Sequence, residues 1–371
     1  HYIGFGACHF PLHAPAEDIQ RQKGKFDEGY DIARTKRFNR QKMLGIVPED
    51  ASLPEDNGNH IKWDDLSADE RRYAARTQEV YGAFLEHTDA QMQRLIQVLK
   101  DEDVYDDTII IFTSDNGAEA SGPSDPDNFA TRRMLSSLGY NSEYETLGLK
   151  GSYSSISPSF ASAAVSPLAD YKFYVGEGGM RVPMIVAGAS LPRQGILSDA
   201  FSFVTDITPT ILSLTGVNAP GKRFAGRPIE PIIGKNLVPL LRGDVDRIYS
   251  ENDAVGYELA GNAALFQGDY KIVLNRRPLG DARWRLFNIK RDPGETHDLS
   301  RQLPERLQTM LSAYERYTAD NKVLPIPPGY GHLEQLFLNT VRGGLREPLL
   351  ITLITLLMLA PFYVYFRLRS R

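Results

Sequence analysis

Four side chains in this sequence are of types that handle charge in a reaction: His9, Asp115, Asn116 and Lys172. Asp115-Asn116 sets a carboxylate beside an amide oxygen, hard donors that suit calcium or magnesium better than zinc. The pair follows an unbroken apolar run, and ligands of open α/β sheets bind beyond the carboxyl ends of strands. By itself Asp115-Asn116-Gly117 is equally good turn chemistry. His9 stands in a loop stiffened by Pro11 and Pro15, and histidine is the usual proton carrier near neutral pH. Taken singly, His9 and His13 also read as ordinary loop histidines. Lys172 precedes Gly176-Glu177-Gly178-Gly179-Met180-Arg181-Val182-Pro183, where glycines could bring backbone close to a ligand and an ammonium would complement an anion. An isolated lysine is normally a solvated surface group, and Glu177 and Arg181 could simply pair across the turn. Asp56-Asn57-Gly58-Asn59-His60 fits a D-x-x-x-H metal spacing, but its polar loop argues against a metal role.

These residues need elements to hold them. From Ser67 to Lys100, Val80, Phe84, Met92, Leu95, Ile96 and Leu99 recur at helical spacing. Tyr2 to Ala7 reads as a strand leading into the loop of His9. Thr108 to Thr113 reads as a strand buried on both faces of a parallel sheet, and Met180 to Ala187 returns to strand character. Ser121 to Pro167, rich in Ser, Pro, Asp and Ala, is expected to be a long excursion bordering a site. Asp206 to Gly216 carries helix punctuation: Asp at the N-cap, Pro209 in the first turn, Gly at the stop. Helix, strand and helix in succession predict α/β architecture: a mixed, mostly parallel sheet flanked by helices. Further on, Tyr270–Leu274 and Trp284–Ile289 read as antiparallel strands, and Leu303 to Thr318 as a closing helix.

Composition narrows the partners. A net charge of -5 gives no basic field, so nucleic acid is excluded as a partner. One cysteine, Cys8, excludes an intrachain disulfide. The chain opens at His1 and runs at once into strand-like sequence, from which an N-terminal truncation is expected. Leu349 to Phe366 carries no charge and is long enough to span a bilayer. Arg367, Arg369 and Arg371 follow it, against Arg342 and Arg346 before it. By the positive-inside rule this predicts a single-pass protein with a cytoplasmic C-terminus and a periplasmic globular part.

The order of motifs says more than any one of them. Pro-flanked His9, Asp115-Asn116-Gly117, Lys172 with Glu177-Gly178-Gly179-x-Arg181-x-Pro183, Arg193-Gln194-Gly195, Asp206-Ile207-Thr208-Pro209-Thr210 and Asp292-Pro293-Gly294-Glu295-x-His297-Asp298-Leu299 succeed one another. Over roughly residues 1 to 320 this resembles the bacterial arylsulfatases, formylglycine-dependent sulfatases of the alkaline phosphatase superfamily. The resemblance implies a small-molecule sulfate ester as substrate and one Ca2+ ion, with Mg2+ the second choice, on Asp115 and Asn116. It implies that His9 assists the leaving-group oxygen as an acid and that Lys172 binds sulfate. It further implies a formylglycine made within Cys-x-Pro-Ser-Arg. Cys8, followed by His9-Phe10-Pro11-Leu12, does not match that motif. The nucleophile is therefore expected in a segment preceding His1, and the chain alone is expected not to catalyse.

The expected organisation is residues 1–245 as the C-terminal portion of a sulfatase catalytic domain and 246–320 as a small α+β subdomain. A linker over 321–347, a transmembrane helix over 348–367 and a basic tail over 368–371 complete it. The alternatives are a phosphate or phosphonate monoester hydrolase of the same superfamily and a non-catalytic, membrane-tethered sulfatase-like binding module.

Overall fold

Local chemistry sets the helical part. The computed structural model describes residues 1–55, 59–120, 122, 129–189, 191–277, 280–331, 334–335, 338–339 and 342. Helix α1 (Ala16–Gln22) starts after Pro15, with Glu17 and Asp18 in the first turn, where the helix dipole favours anions. Helix α2 (Gly29–Met43) follows, and then α3 (Ala68–Asp101), which opens on a capping box. Ser67 Oγ accepts from Glu70 N at 3.3 Å, and Glu70 Oε2 accepts from Ser67 N at 2.7 Å. The expected helix is therefore present. Helix α1 lies on α3, bringing Ile19 to Val80 and Ala83 in the larger core. Helices α4 (Phe129–Ser137) and α5 (Pro158–Val165) fall within the expected excursion, of which residues 121 and 123–128 lie outside the described residues. Helix α5 packs on α2 and supplies Phe160, whose ring meets Tyr30 edge-on at 5.2 Å.

Strands β1 (Ile110–Thr113) and β2 (Met184–Ala187) pair antiparallel, with Phe112 opposite Ile185. Between them lies the short helix α6 (Glu177–Met180). Helix α7 (Ile207–Leu214), the strand pair β3 (Arg223–Phe224) and β4 (Arg227–Pro228), and helix α8 (Val238–Arg242) lead to the last sheet. Its strands β5 (Ala254–Leu259), β6 (Asn262–Gln267), β7 (Tyr270–Leu274) and β8 (Arg285–Asn288) form an antiparallel meander in that order. Side chains alternate across a sheet, so it presents two apolar faces. Leu265, Ile272 and Leu286 pack with Met310 and Ala313 of helix α9 (Pro304–Asp320). Ala264, Val273 and Phe287 pack with Val175, beside the glycine turn. The chain divides into two compact units, His1–Asp320 and Asn321–Arg371. The sheet and α9 belong to the first.

Five expectations need correction. The α/β class holds, but every ladder among the described residues is antiparallel, so no mostly parallel sheet is formed by them. Phe112 is 38% exposed and Ile185 58%, so the apolar run after Thr108 marks strand propensity rather than burial on both faces. Tyr2 to Ala7 is exposed for most of its length and forms no strand, since among the described residues no strand pairs with its backbone. The transmembrane helix and the single-pass location drawn from it also fall. Among the described residues no helix is long and apolar enough to cross a membrane. The longest, α3, carries charged residues at both ends and through its middle, and residues 348–367 themselves lie outside the described residues.

The core beneath α9 has a measurable consequence. Leu286 is fully buried against Met310, so Leu286→Ala should cost about 2–5 kcal/mol of stability in urea unfolding. A loss under about 1 kcal/mol would mean that the sheet and α9 are not packed as described.

Candidate active site

Strand β1 ends at Thr113, and the chain turns through residues 114–120. Gly117 N donates to Gly179 O at 3.0 Å, and a Cβ on Gly117 would lie 1.7 Å from Gly178 O. Only glycine lets these two backbones meet. The glycines of the turn thus bring backbone to backbone. Lys172 N donates to Ala118 O at 3.1 Å, which fastens the lysine's segment to the same loop. Glu119, 7% exposed, points inward from it. Its Oε2 lies 2.5 Å from Lys172 Nζ and 3.6 Å from His9 Nε2. His9 Nδ1 lies 2.9 Å from Phe10 O. A carbonyl can only accept, so Nδ1 carries the hydrogen and Nε2 is the nitrogen facing Glu119.

The structure therefore brings His9 and Lys172 together through a carboxylate that the sequence reading passed over. Asp115 is exposed and Asn116 half-buried at the start of the loop that carries Glu119. Asn116 Nδ2 donates to Gly117 O at 2.9 Å. This fixes the amide so that its oxygen is the atom left to meet a cation, as a hard-ion ligand requires. Among the described residues no group of three or more His, Cys, Asp or Glu could hold a metal ion, so Asp115 and Asn116 are at most part of a shell. Of the D-x-x-x-H spacing, residues 56–58 lie outside the described residues. Its His60 lies 3.0 Å from Asp31 Oδ1, in a structural contact. The Cys8 thiol is pushed up to about 11 by burial, against a hydrogen bond with Tyr81, which keeps it from acting as a thiolate.

The lysine's segment is strained and clamped. Asp170 has φ 64° and Phe173 φ 79°, left-handed conformations that cost non-glycine residues about 1 kcal/mol or more each. Residues of the last sheet hold them. Asn262 Nδ2 donates to Phe173 O at 3.0 Å, and Asn275 Nδ2 to Asp170 Oδ2 at 2.9 Å. Asn275 Oδ1 accepts from Val175 N at 3.2 Å. Lys271, fully buried, donates to Glu177 Oε1 at 2.9 Å and lies 2.9 Å from Glu295 Oε1. Glu295 Oε2 in turn accepts from Glu177 N at 3.0 Å. Arg181 also approaches Glu177, at 3.7 Å, so the anticipated brace exists but is the weaker, more exposed contact. Lys271 carried a signal: it shares a strand face with Val273, and a lysine on an apolar face needs buried partners. Nothing local marked Glu119.

Burial alone would discharge Lys271, but the two carboxylates outweigh it and hold its pKa above the ordinary value. Burial pushes Glu295 up to about 7, with Lys271 opposing and Glu177 adding to the rise. Burial likewise lifts Asp170 to about 6 against Lys271 and the Asn275 hydrogen bond. Both carboxyls bind a proton more tightly folded than unfolded. Their contribution to stability is present below the unfolded values and is lost as pH rises through about 6 and about 7. Thermal stability should therefore fall between pH 5 and pH 8, each group contributing at most about 1.4 kcal/mol per pH unit. Asp170→Asn and Glu295→Gln should flatten that limb. Equal slopes in the variants and the original chain would refute the assignment.

Comparison with known proteins bears on the family of this chain. A family model described as Sulfatase matches residues 1–217. An uncharacterised sulfatase of Schizosaccharomyces pombe is 34% identical over 331 residues, covering 89% of this chain and 59% of that protein. An arylsulfatase of Klebsiella aerogenes is 32% identical over 245 residues, covering 64% of this chain and 50% of that protein. The chain thus spans between 50% and 59% of the length of these relatives. The crystal structure of Ps i-CgsB superposes with a TM-score of 0.50 at 20% identity, over 89% of this chain and 51% of that one, a likeness of fold.

Proposed function

The chain belongs to the sulfatase family, and from that premise we propose that it carries one side of the active site of a sulfuric ester hydrolase. The observation that supports this best is the meeting of Lys172 and His9 on Glu119, on the loop that also carries Asp115 and Asn116. The substrate is a small-molecule sulfate ester. Lys172 places its ammonium against the sulfate group and the bridging oxygen. As the S–O bond to the alcohol breaks, its electron pair stays on that oxygen, and a fixed cation lowers the barrier. His9, protonated at Nε2, gives that proton to the departing oxygen and is left neutral. Asp115 and Asn116 hold one calcium ion, which when bound supplies positive charge to the sulfate oxygens. No residue of this chain fits the formylglycine nucleophile that the family generally uses: Cys-x-Pro-Ser-Arg is absent and Cys8 is a protonated, mismatched thiol.

The test is hydrolysis of chromogenic aryl sulfates by a protein in which this chain is joined to a segment bearing Cys-x-Pro-Ser-Arg. Lys172→Ala should lower kcat about 100-fold or more. His9→Ala should hurt esters of poor leaving groups most, since these need the acid most. Equal losses across leaving groups would remove the acid role. Asp115→Ala in the same protein should abolish both activity and bound calcium, and unchanged calcium by elemental analysis would remove the metal assignment. The 371-residue chain by itself should show no turnover above that of its Lys172→Ala variant. Turnover above that level would place the nucleophile within this chain.

A further inference from the structure

We propose that Glu119 is the positioning residue of this site, holding the Lys172 ammonium and the His9 imidazole at one buried carboxylate oxygen. This rests on the reading of Lys172 as the sulfate-binding cation.

The argument starts from the lysine. Its four-carbon stem has about 2 kcal/mol of rotamer freedom, and an ammonium is a compact charge with no geometry of its own. Left to solvent it would sample many positions, whereas electrostatic help at a reacting oxygen requires a cation fixed before the reaction. Glu119 supplies the fixing. Its side chain is 6% exposed against 19% for Lys172 and 52% for His9, so the carboxylate is the innermost of the three. A carboxylate so placed is costly unless paired, and Lys172 Nζ at 2.5 Å pairs it. Lys172 cannot leave without stranding the buried carboxylate.

The backbone makes the carboxylate a fixed reference. Glu119 follows Ala118, whose carbonyl takes Lys172 N, and Gly117, whose N–H is held by Gly179. Base and tip of Lys172 are thus both tied to the one loop, the base by a backbone hydrogen bond and the tip by Glu119. His9 comes from a different part of the chain, and its Nε2, the nitrogen that would carry the transferred proton, faces the same oxygen at 3.6 Å. One anion therefore sets where the cation sits and which way the imidazole points.

The experiment reads the Lys172 ammonium directly by 15N NMR in the 371-residue chain. A held ammonium exchanges protons slowly and gives a sharp Nζ–H signal, with a scalar coupling to the Glu119 carboxyl carbon expected across the 2.5 Å ion pair. Glu119→Gln keeps the size and removes the charge. It should lose that signal while the melting profile stays cooperative, a spectroscopic change that a merely space-filling role would not cause. An unchanged Lys172 signal in Glu119→Gln would overturn the proposal. Should that variant fail to fold, absence of the Lys172–Glu119 coupling in the original chain overturns it equally. Added inorganic sulfate separates this from the functional reading. A Lys172 signal that depends on Glu119 but ignores sulfate supports the positioning contact while removing Lys172 as the anion site.

Discussion

Lys271 is an ammonium with no access to water, and everything around the site is arranged to make that tolerable. A buried unpaired charge costs several kcal/mol even after relaxation. Here Glu177 and Glu295 close on it at 2.9 Å each. Burial, against the attraction of Lys271 and with the second carboxylate of Glu177 adding to it, is why Glu295 takes up a proton near neutrality rather than ionising as an exposed glutamate would. The arrangement contributes little net stability against an apolar core of the same shape. What it contributes is position. Glu177 heads the glycine turn and Glu295 follows the last strand, so neither segment can shift without uncovering a charge.

Strain at the lysine loop follows from that fixed position. Asp170 and Phe173 hold left-handed backbone on either side of Lys172, conformations that a free loop would relax. Asn262 and Asn275 hold them by side-chain hydrogen bonds to Phe173 O and Asp170 Oδ2. Both asparagines sit at strand ends of the sheet that α9 and its apolar face keep rigid. Stability earned in the distant core under α9 is thus what allows an unfavourable backbone near the site. The small sheet acts as the jig in which the lysine's loop is set.

How much of this the sequence disclosed depends on the range of the interaction. Helix α3 was legible because its start is a local device, Ser67 with Glu70, and its stripe repeats at helical spacing. Strands β7 and β8 and helix α9 were legible for the same reason. The run after Thr108 was legible as a strand but not in its pairing, because hydropathy reports what a segment prefers to touch and not what is there to touch it. Of the candidate site, His9, Lys172, Asp115 and Asn116 stand out by motif order. Glu119 does not, because its meaning lies in meeting Lys172 from 53 residues away and His9 from 110. The glycine run was read as room for a ligand. Its backbone contact with Gly117 is a long-range fact that no local pattern carries.

The two lysines show how burial sorts structure from chemistry. Each has an ammonium with three donors against carboxylate oxygens. Lys271 is sealed, with two carboxylates and no solvent, so any further anion would have to displace a partner and pay its desolvation as well. Lys172 is 19% exposed, meets one carboxylate, and stands beside a half-open imidazole. One donor suffices for Glu119, and an ammonium has three. In a partly shielded site those donors act on charge far more strongly than they would in bulk water. Residue type is identical and the number of carboxylate partners differs by one. That difference, set by the folds of two loops, makes Lys271 part of the frame and leaves Lys172 partly open to solvent, as its proposed role requires.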